Sequence, residues 1–477
     1  MDDDAINPTE EKCEIETAEN EVKSTVSAGT EECKKKGNWS ELPSLPLEKI
    51  YSFLDRFDRV KMSLVCRKWS EGYSSPSVWK TFRFALMESM ISKDSCPGMK
   101  FVRKYSSMFR HVDIHYHILP WQKDLIDIWC KHFILFLQLL TSNSQLISVK
   151  IHGLLWCFAR IDSSTRDDLK RAIASFLGSQ HHLKRAEFHY CFFNFKEYVE
   201  LLKELTESSR NSITHFGLRG LTFCDPKEQD PTVEHSLLEF MGLPSLTTLA
   251  IDYSLIFENT FACQSVVMKT LKNCQTRVKL SKIILDYESG SNLERFQGLT
   301  PTDWQCLKNL YPDLQVELNF TTNSPSQREL ELLIVPDMPT TRLNYTHEER
   351  NWDPNSSLIE IDVLFAHIHK CKTTDHLICL CLKLELPVPD LASALVQILQ
   401  ACKKLKRLDL FIIYPVIGID RLMESWLENR PESLRKVLIE ISGVEDDHDY
   451  TILKNLTTEC VYGLELVGLD VKVNIYS

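Results

Sequence analysis

The chain has 477 residues, with 55 Lys+Arg against 66 Asp+Glu, a net charge of −11, and 43% hydrophobic and 25% charged residues. That length accommodates two to four domains, or one domain followed by a repeat array. The composition excludes a globally disordered chain and a membrane transporter, and the negative charge argues against a nucleic-acid coat or a binder of anionic membranes, since both need a positive field.

Residues 1–38 carry eleven Asp/Glu and five Lys and almost no large apolar side chains. A disordered acidic tail is expected, because such a segment cannot bury enough surface to offset chain entropy. It is acidic where a signal peptide is basic and then apolar. The longest largely apolar run, roughly Phe133–Leu140, is too short to span a bilayer. Sixteen cysteines are scattered along the chain without a C-x-x-C pair. They are expected to be reduced and mostly buried thiols in a cytoplasmic or nuclear protein, rather than zinc ligands or a disulfide framework.

Residues 39–84 are expected to form a compact helical unit. Leu47, Ile50, Phe53 and Leu54 fall on one helical stripe. Asp58 is the expected N-cap of a second short helix containing Val60, Met62 and Ser63. Val65, Cys66 and Trp69 follow at helical spacing, Pro76 breaks the chain and Trp79 closes the unit. So few residues make a small core, which calls for a partner or a neighbouring domain.

Residues 85–477 are dominated by repetition. An apolar-x-x-apolar-x-apolar pattern occurs as Phe109/Val112/Ile114, Leu146/Val149/Ile151, Leu183/Ala186/Phe188, Ile213/Phe216/Leu218, Leu246/Leu249/Ile251 and Leu280/Ile283/Leu285. It returns as Leu377/Leu380/Leu382, Leu405/Leu408/Leu410 and Leu434/Val437/Ile439, with Leu314–Leu318 and Thr341–Tyr345 as strand candidates between. Amphipathic stretches separate the strands: Leu125/Trp129/Phe133/Phe136/Leu140, Leu169/Ile173/Phe176 and Leu391/Leu395/Ile398/Cys402. Strand–helix units of roughly 30 residues predict an α/β fold in which a parallel sheet is backed by outer helices, as in a leucine-rich-repeat-like solenoid. Separate α/β domains of ordinary type are the alternative. Residues 321–358, rich in Thr, Ser, Pro and Asn, are expected to be an irregular interruption.

The unit at 39–84 reads Leu42-Pro43, Leu47, Ile50, Leu54, Asp58, Val65-Cys66, Trp69, Pro76 and Trp79. This order and spacing resemble the F-box. The resemblance implies docking on the Skp adaptor (S-phase kinase-associated protein), and through it on a cullin–RING ligase, as the substrate-recognition subunit of an SCF ubiquitin ligase. Leu42, Pro43, Leu47, Ile50, Leu54, Val65, Cys66, Trp69 and Trp79 would make or support that interface. Leu45 and Pro46 depart from the motif, where Glu and Leu usually stand. The whole chain resembles the F-box-only proteins with degenerate leucine-rich repeats, of the F-box only protein 33 or 39 type. A scaffold that binds Skp outside any ligase is the alternative function. The local charge, eight Lys/Arg against five acids over 39–84, suits an acidic adaptor, or equally a solvated face.

In such a repeat, side chains between the core positions point to the open face of the sheet. One expected exposed column reads Asp113, Lys150, Glu187, Gly217, Ala250, Ile284, Cys381, Asp409 and Leu438. The next reads His115, His152, His189, Arg219, Asp252, Asp286, Lys383, Phe411 and Glu440. The bland reading is a solvated face with weak ion pairs. The sharper one is a binding surface for an unidentified protein substrate at Asp113, His115, Lys150, His152, Glu187, His189 and Arg219, sensitive to histidine titration. No metal site or cofactor is expected, because His111, His115 and His117 alternate along a single strand, which cannot wrap an ion. Lys403, Lys404, Lys406 and Arg407 are read as surface charge, and neither a nucleic acid nor a membrane is expected as a partner. The phosphate-loop, nucleophile-elbow and zinc-protease motifs are missing from the sequence, so a non-catalytic protein is expected.

Overall fold

The computed structural model describes residues 39–85, 96–116, 123–191, 195–220, 243–253, 279–288, 299–322, 326–348, 361–385, 391–415 and 418–476. The acidic segment 1–38 and His117 lie outside these residues. The chain divides into two compact units, 1–74 and 75–477.

The first unit contains helices Ser44–Phe53, Arg56–Ser63 and Arg67–Tyr73. The second helix starts one turn earlier than expected. Its N-cap is Asp55, whose side chain accepts from the Asp58 backbone N–H at 2.8 Å, while Asp58 itself sits in the first turn. A carboxylate at either place stabilises the helix, one by capping and the other through the dipole. Among the described residues of this unit only Leu47 and Tyr51 are buried. Gly72 permits this core, because a Cβ there would lie 2.6 Å from Leu47 Cδ2. The Tyr51 hydroxyl donates to the Trp69 carbonyl at 2.8 Å, and Arg59 Nε donates to the carbonyls of Tyr51 and Leu54 at the end of the first helix.

The second unit is built on one sheet of thirteen parallel strands whose spatial order is their sequence order. They are β1 Thr81–Phe84, β2 His111–His115, β3 Ser148–His152, β4 Arg185–His189, β5 His215–Arg219, β6 Thr248–Asp252 and β7 Lys282–Glu288. The rest are β8 Gln315–Thr322, β9 Thr340–His347, β10 Cys379–Leu384, β11 Arg407–Ile413, β12 Lys436–Ser442 and β13 Asp470–Ile475. Every residue of the nine apolar triplets is buried, so the repeat pattern is the core of the sheet. Helices such as Ser163–Ser179, Leu391–Ala401 and Ile419–Glu428 connect the strands and bury Leu169, Ile173, Phe176, Leu391, Leu395 and Ile398. The fold is α/β, a small helical domain followed by a leucine-rich-repeat-like parallel solenoid.

Three expectations need correction. Residues 75–84 belong to the second unit and not to the helical one, because Phe82 and Phe84 alternate inward on β1 and stack on Phe109 and Phe136. The described part of 321–358 is not an irregular interruption: it contains the end of β8, the helix Gln327–Leu333 with a Ser326/Glu329 capping box, and β9, while 323–325 and 349–358 lie outside the described residues. The polar composition reflects β-strands whose open-face positions are Thr, Arg and Asn. The helix Lys123–Asn143 also has enough length and apolar content to cross a bilayer, although no single apolar run does. Its stripe of Trp129, Cys130, Phe133, Phe136, Leu137 and Leu140 is instead fully buried, with Phe84 against Trp129 and Phe136. It is a core helix of the solenoid.

Candidate interaction surfaces

The helical unit has few inward positions, and its remaining apolar side chains face outward. Leu45 is 78% exposed, Leu64 80%, Phe53 76%, Phe57 68% and Val65 64%, with Trp39 and Val60 exposed as well. Of the residues expected at an interface, Pro43 and Val65 are exposed, and Leu42, Ile50, Leu54, Cys66 and Trp69 are half-buried. Trp69 is held by its indole N–H, which donates to the Trp39 carbonyl at 3.0 Å. Leu47 is buried inside the unit. Trp79 is buried in the second unit, edge-on to Phe101 and stacked on Tyr105. Sequence periodicity missed Leu45, Phe57 and Leu64 because they break the helical stripe. Phe53, expected on the stripe, is exposed as well, because the core of so small a unit takes only Leu47 and Tyr51 from the first helix.

The second surface is the open face of the sheet. Strand pairing puts Asp113, Lys150, Glu187, Gly217, Ala250 and Ile284 in one row, and His115, His152, His189 and Arg219 in the next. Two parts of the expectation fail. The first row is not a solvated column: Glu187, Gly217, Ala250, Ile284 and Asp409 are buried, and Asp113, Lys150, Cys381 and Leu438 are half-buried. Neighbouring strands are close enough for side chains on this face to cover one another. The rows also do not continue straight to the C-terminus. A bulge at β8/β9 pairs Val316 with Thr340 and Glu317 with Arg342, skipping Thr341. The Asp113 row therefore runs on through Glu317 to Arg342, Cys379, Arg407 and Lys436. Cys381, Asp409 and Leu438 instead continue the row of Asp286, through Asn319 and Asn344. Lys383, Phe411 and Glu440 lie one row further out, in line with Glu288.

Within the N-terminal half the charges form two clusters. Asp113 Oδ1 lies 2.8 Å from His115 Nε2 and 3.3 Å from His152 Nε2. Glu187 is ringed by Arg185 on its own strand, His215 Nε2 at 2.6 Å, Lys150 Nζ at 3.4 Å and His189 Nε2 at 3.6 Å. The rings of His115, His152 and His189 follow one another at 4.3 and 4.5 Å. Burial pushes the Asp113 carboxyl up, but hydrogen bonds from His152 and His115 outweigh it and hold it at about 2. Burial likewise opposes the charge on Glu187, yet its histidine and basic partners hold it well below the usual carboxylate range. Burial lowers His115 and His189, with their carboxylate partners acting in the opposite sense. Farther along, Arg219 Nε meets Asp286 Oδ2 at 2.7 Å, Lys282 meets Glu317 at 2.7 Å and Arg407 meets Asp409 at 2.8 Å. Arg185, His215, Lys282 and Glu317 were not foreseen as site residues. For Arg185, His215 and Lys282 the signal is a polar residue two positions before the inner column, and Glu317 lies in that column itself.

A family model for the F-box domain matches residues 39–80. Residues 39–80 are an F-box. The F-box/LRR-repeat protein 21 of Mus musculus is 30% identical over 79 residues, which cover 16% of this chain and 18% of that protein. Its Bos taurus and Ovis aries counterparts are 36% and 34% identical over 55 residues, 12% of this chain and 13% of each relative. The chain therefore spans less than one fifth of the length of the curated relatives it matches. Among solved structures, a chain of the TLR13–ssRNA13 complex covers 70% of this chain and 40% of its own length at 13% identity. The TM-score is 0.25, at which the backbones do not superpose as a whole. The F-box match covers the unit whose apolar side chains are exposed, and the parallel sheet follows it in the chain.

Proposed function

We propose that this protein is the substrate-recognition subunit of an SCF (Skp–cullin–F-box) ubiquitin ligase. The F-box docks on the Skp adaptor, and the open face of the sheet holds a protein marked for ubiquitination and proteasomal degradation. The observation that carries this reading is the F-box match at 39–80 on a unit whose apolar side chains face outward. Pro43 and Val65 contact the adaptor, with Leu42, Ile50, Leu54, Cys66 and Trp69 contributing their partly open faces. Leu47 and Trp79 support the interface from within their cores. The role is not catalytic: the receptor raises the effective concentration of its target near the transfer machinery. Asp113, His115, Lys150, His152, Glu187, His189 and Arg219 form the polar part of the target surface. A reducing compartment, cytoplasm or nucleus, fits the thiols of Cys130 and Cys157, which face each other at 3.4 Å.

The test is affinity capture of the full-length chain. The native protein is expected to bring down both the adaptor and a cullin. Replacing Leu45, Leu64 and Val65 together with Asp should abolish that capture while far-ultraviolet circular dichroism is unchanged. Capture of the adaptor without a cullin would sink the ligase reading and leave a scaffold. Undiminished capture by the triple variant would sink the interface.

A further inference from the structure

The alternation of β2 puts Asp113 and His115 on the same face, and parallel pairing sets His152 of β3 directly beside His115. A single strand offers donors along a line, whereas two donors on one strand and one on its neighbour make a triangle. The carboxylate oxygen and the two imidazole nitrogens all lie within 4.8 Å of one another. Asp113 Oδ1 is the common vertex, 2.8 Å from His115 Nε2 and 3.3 Å from His152 Nε2. A four-coordinate zinc-class ion with bonds of about 2.0–2.2 Å keeps its ligand atoms about 3.3–3.5 Å apart. Opening the Asp113–His115 edge by about 0.5–0.7 Å and turning the His152 ring out of its stack on His115 would convert the triangle into a coordination shell.

We propose that Asp113, His115 and His152 bind a divalent transition-metal ion of the zinc class on the open face of the sheet. Two imidazoles and one carboxylate are a donor set that such ions accept, and they leave at least one position for water or for a side chain of a bound protein. A ligand carboxylate must be ionised and a ligand imidazole neutral with Nε2 free, so the ion would take the place of the contacts that His115 and His152 make to Asp113. Two cations flank Asp113 in its row, Arg83 on β1 and Lys150 on β3, and Lys150 is turned to Glu187 at 3.4 Å. The second carboxylate, Glu187, carries both Lys150 and Arg185 and makes a poorer ligand for a dication. The site is thus confined to β2 and β3. It does not depend on the ligase reading, and it stands or falls separately.

The probe is Co2+, which reports coordination number and ligand type by visible absorption. Full-length chain freed of metal with a chelator is titrated with Co2+ and then challenged with Zn2+. The expected result is one equivalent of Co2+ bound, a visible band of tetrahedral intensity without a thiolate charge-transfer band, and displacement by Zn2+. Asp113→Asn and His152→Gln should each weaken Co2+ binding about 100-fold or more, beyond the loss typical of an outer-shell change. His369→Gln, on a distant helix, should leave it unchanged. X-ray absorption of the cobalt-loaded native chain needs no variant, and should show nitrogen and oxygen neighbours with imidazole outer-shell scattering. No stoichiometric uptake by the native chain, uptake that survives Asp113→Asn/His152→Gln, or a sulfur shell would each overturn the proposal.

Discussion

Phe84 stacks on Phe136 with ring centroids 4.2 Å apart and planes 18° from parallel. This contact joins the first strand to the first long helix of the sheet, and both rings are buried. Phe84→Ala should therefore cost about 3–5 kcal/mol of stability, the range for removing a buried aromatic ring. Chemical denaturation of the full chain, followed by tryptophan fluorescence, measures it. A loss under about 1 kcal/mol would mean that the end of the solenoid closes without this pair.

Trp79 and Leu64 lie in the same F-box match but should behave in opposite ways. Trp79 packs on Phe101 and Tyr105, so Trp79→Ala is expected to remove about 3–5 kcal/mol from the second unit. Leu64 is 80% exposed, and Leu64→Ala should stay within about 0.5 kcal/mol of native stability while reducing adaptor capture. Parallel melts and capture assays separate these outcomes. Equal destabilisation by both would contradict the outward orientation of Leu64.

Gly217 occupies the row position beside Glu187, and a Cβ there would meet Glu187 Cγ at 2.9 Å. Gly217→Val should push the Glu187 side chain out of its ring of bases, at a cost of about 1–3 kcal/mol for overpacking. A thermal melt reads the loss. A neutral result would show that the strand can move aside.

The same carboxylate gives a pH dependence. The folded pKa of Glu187 is depressed, so its ionised form contributes stability above its unfolded value of about 4.3, and that contribution is lost as pH falls through the folded value. Glu187→Gln should cost about 1–2 kcal/mol at pH 7, tempered by the partial exposure of Lys150 and Arg185. The gap between native and variant should begin to narrow below about pH 4. Denaturant titrations at a series of pH values check this, and a constant gap would remove Glu187 from the acid response.

Much of the solenoid was legible because its core obeys one rule. The type of Leu146, Val149 and Ile151 recurs at nine of the strands, and burying these residues fixes both strand and register. The His115–His152–His189–Arg219 ladder followed from the same alternation. The Asp113/His115/His152 triangle did not, since His111 and His117 draw attention along one strand while the third donor comes from the neighbour. The first strand was hidden because Thr81–Phe84 abuts a helical motif and lacks the full apolar triplet. The clasp around Glu187 depends on side chains reaching across strands, which a linear pattern of polar residues does not specify. The outward face of the F-box was half legible. Pro43 and Val65 belong to the motif, but Phe57 and Leu64 show their exposure only once the helices pack.

The extra residue at Thr341 acts on the sheet as an edge dislocation acts on a crystal. On either side of it the rows are straight, but a line drawn along one of them arrives on the other side in a different file. An extended ligand lying across the strands could not keep the same chemical neighbours along the whole length. The Asp113 row, half-buried and centred on Asp113 and Glu187 near its start, becomes the file of Arg342, Arg407 and Lys436. The sheet is continuous as a scaffold, while the side chains its open face displays change in charge from one half to the other.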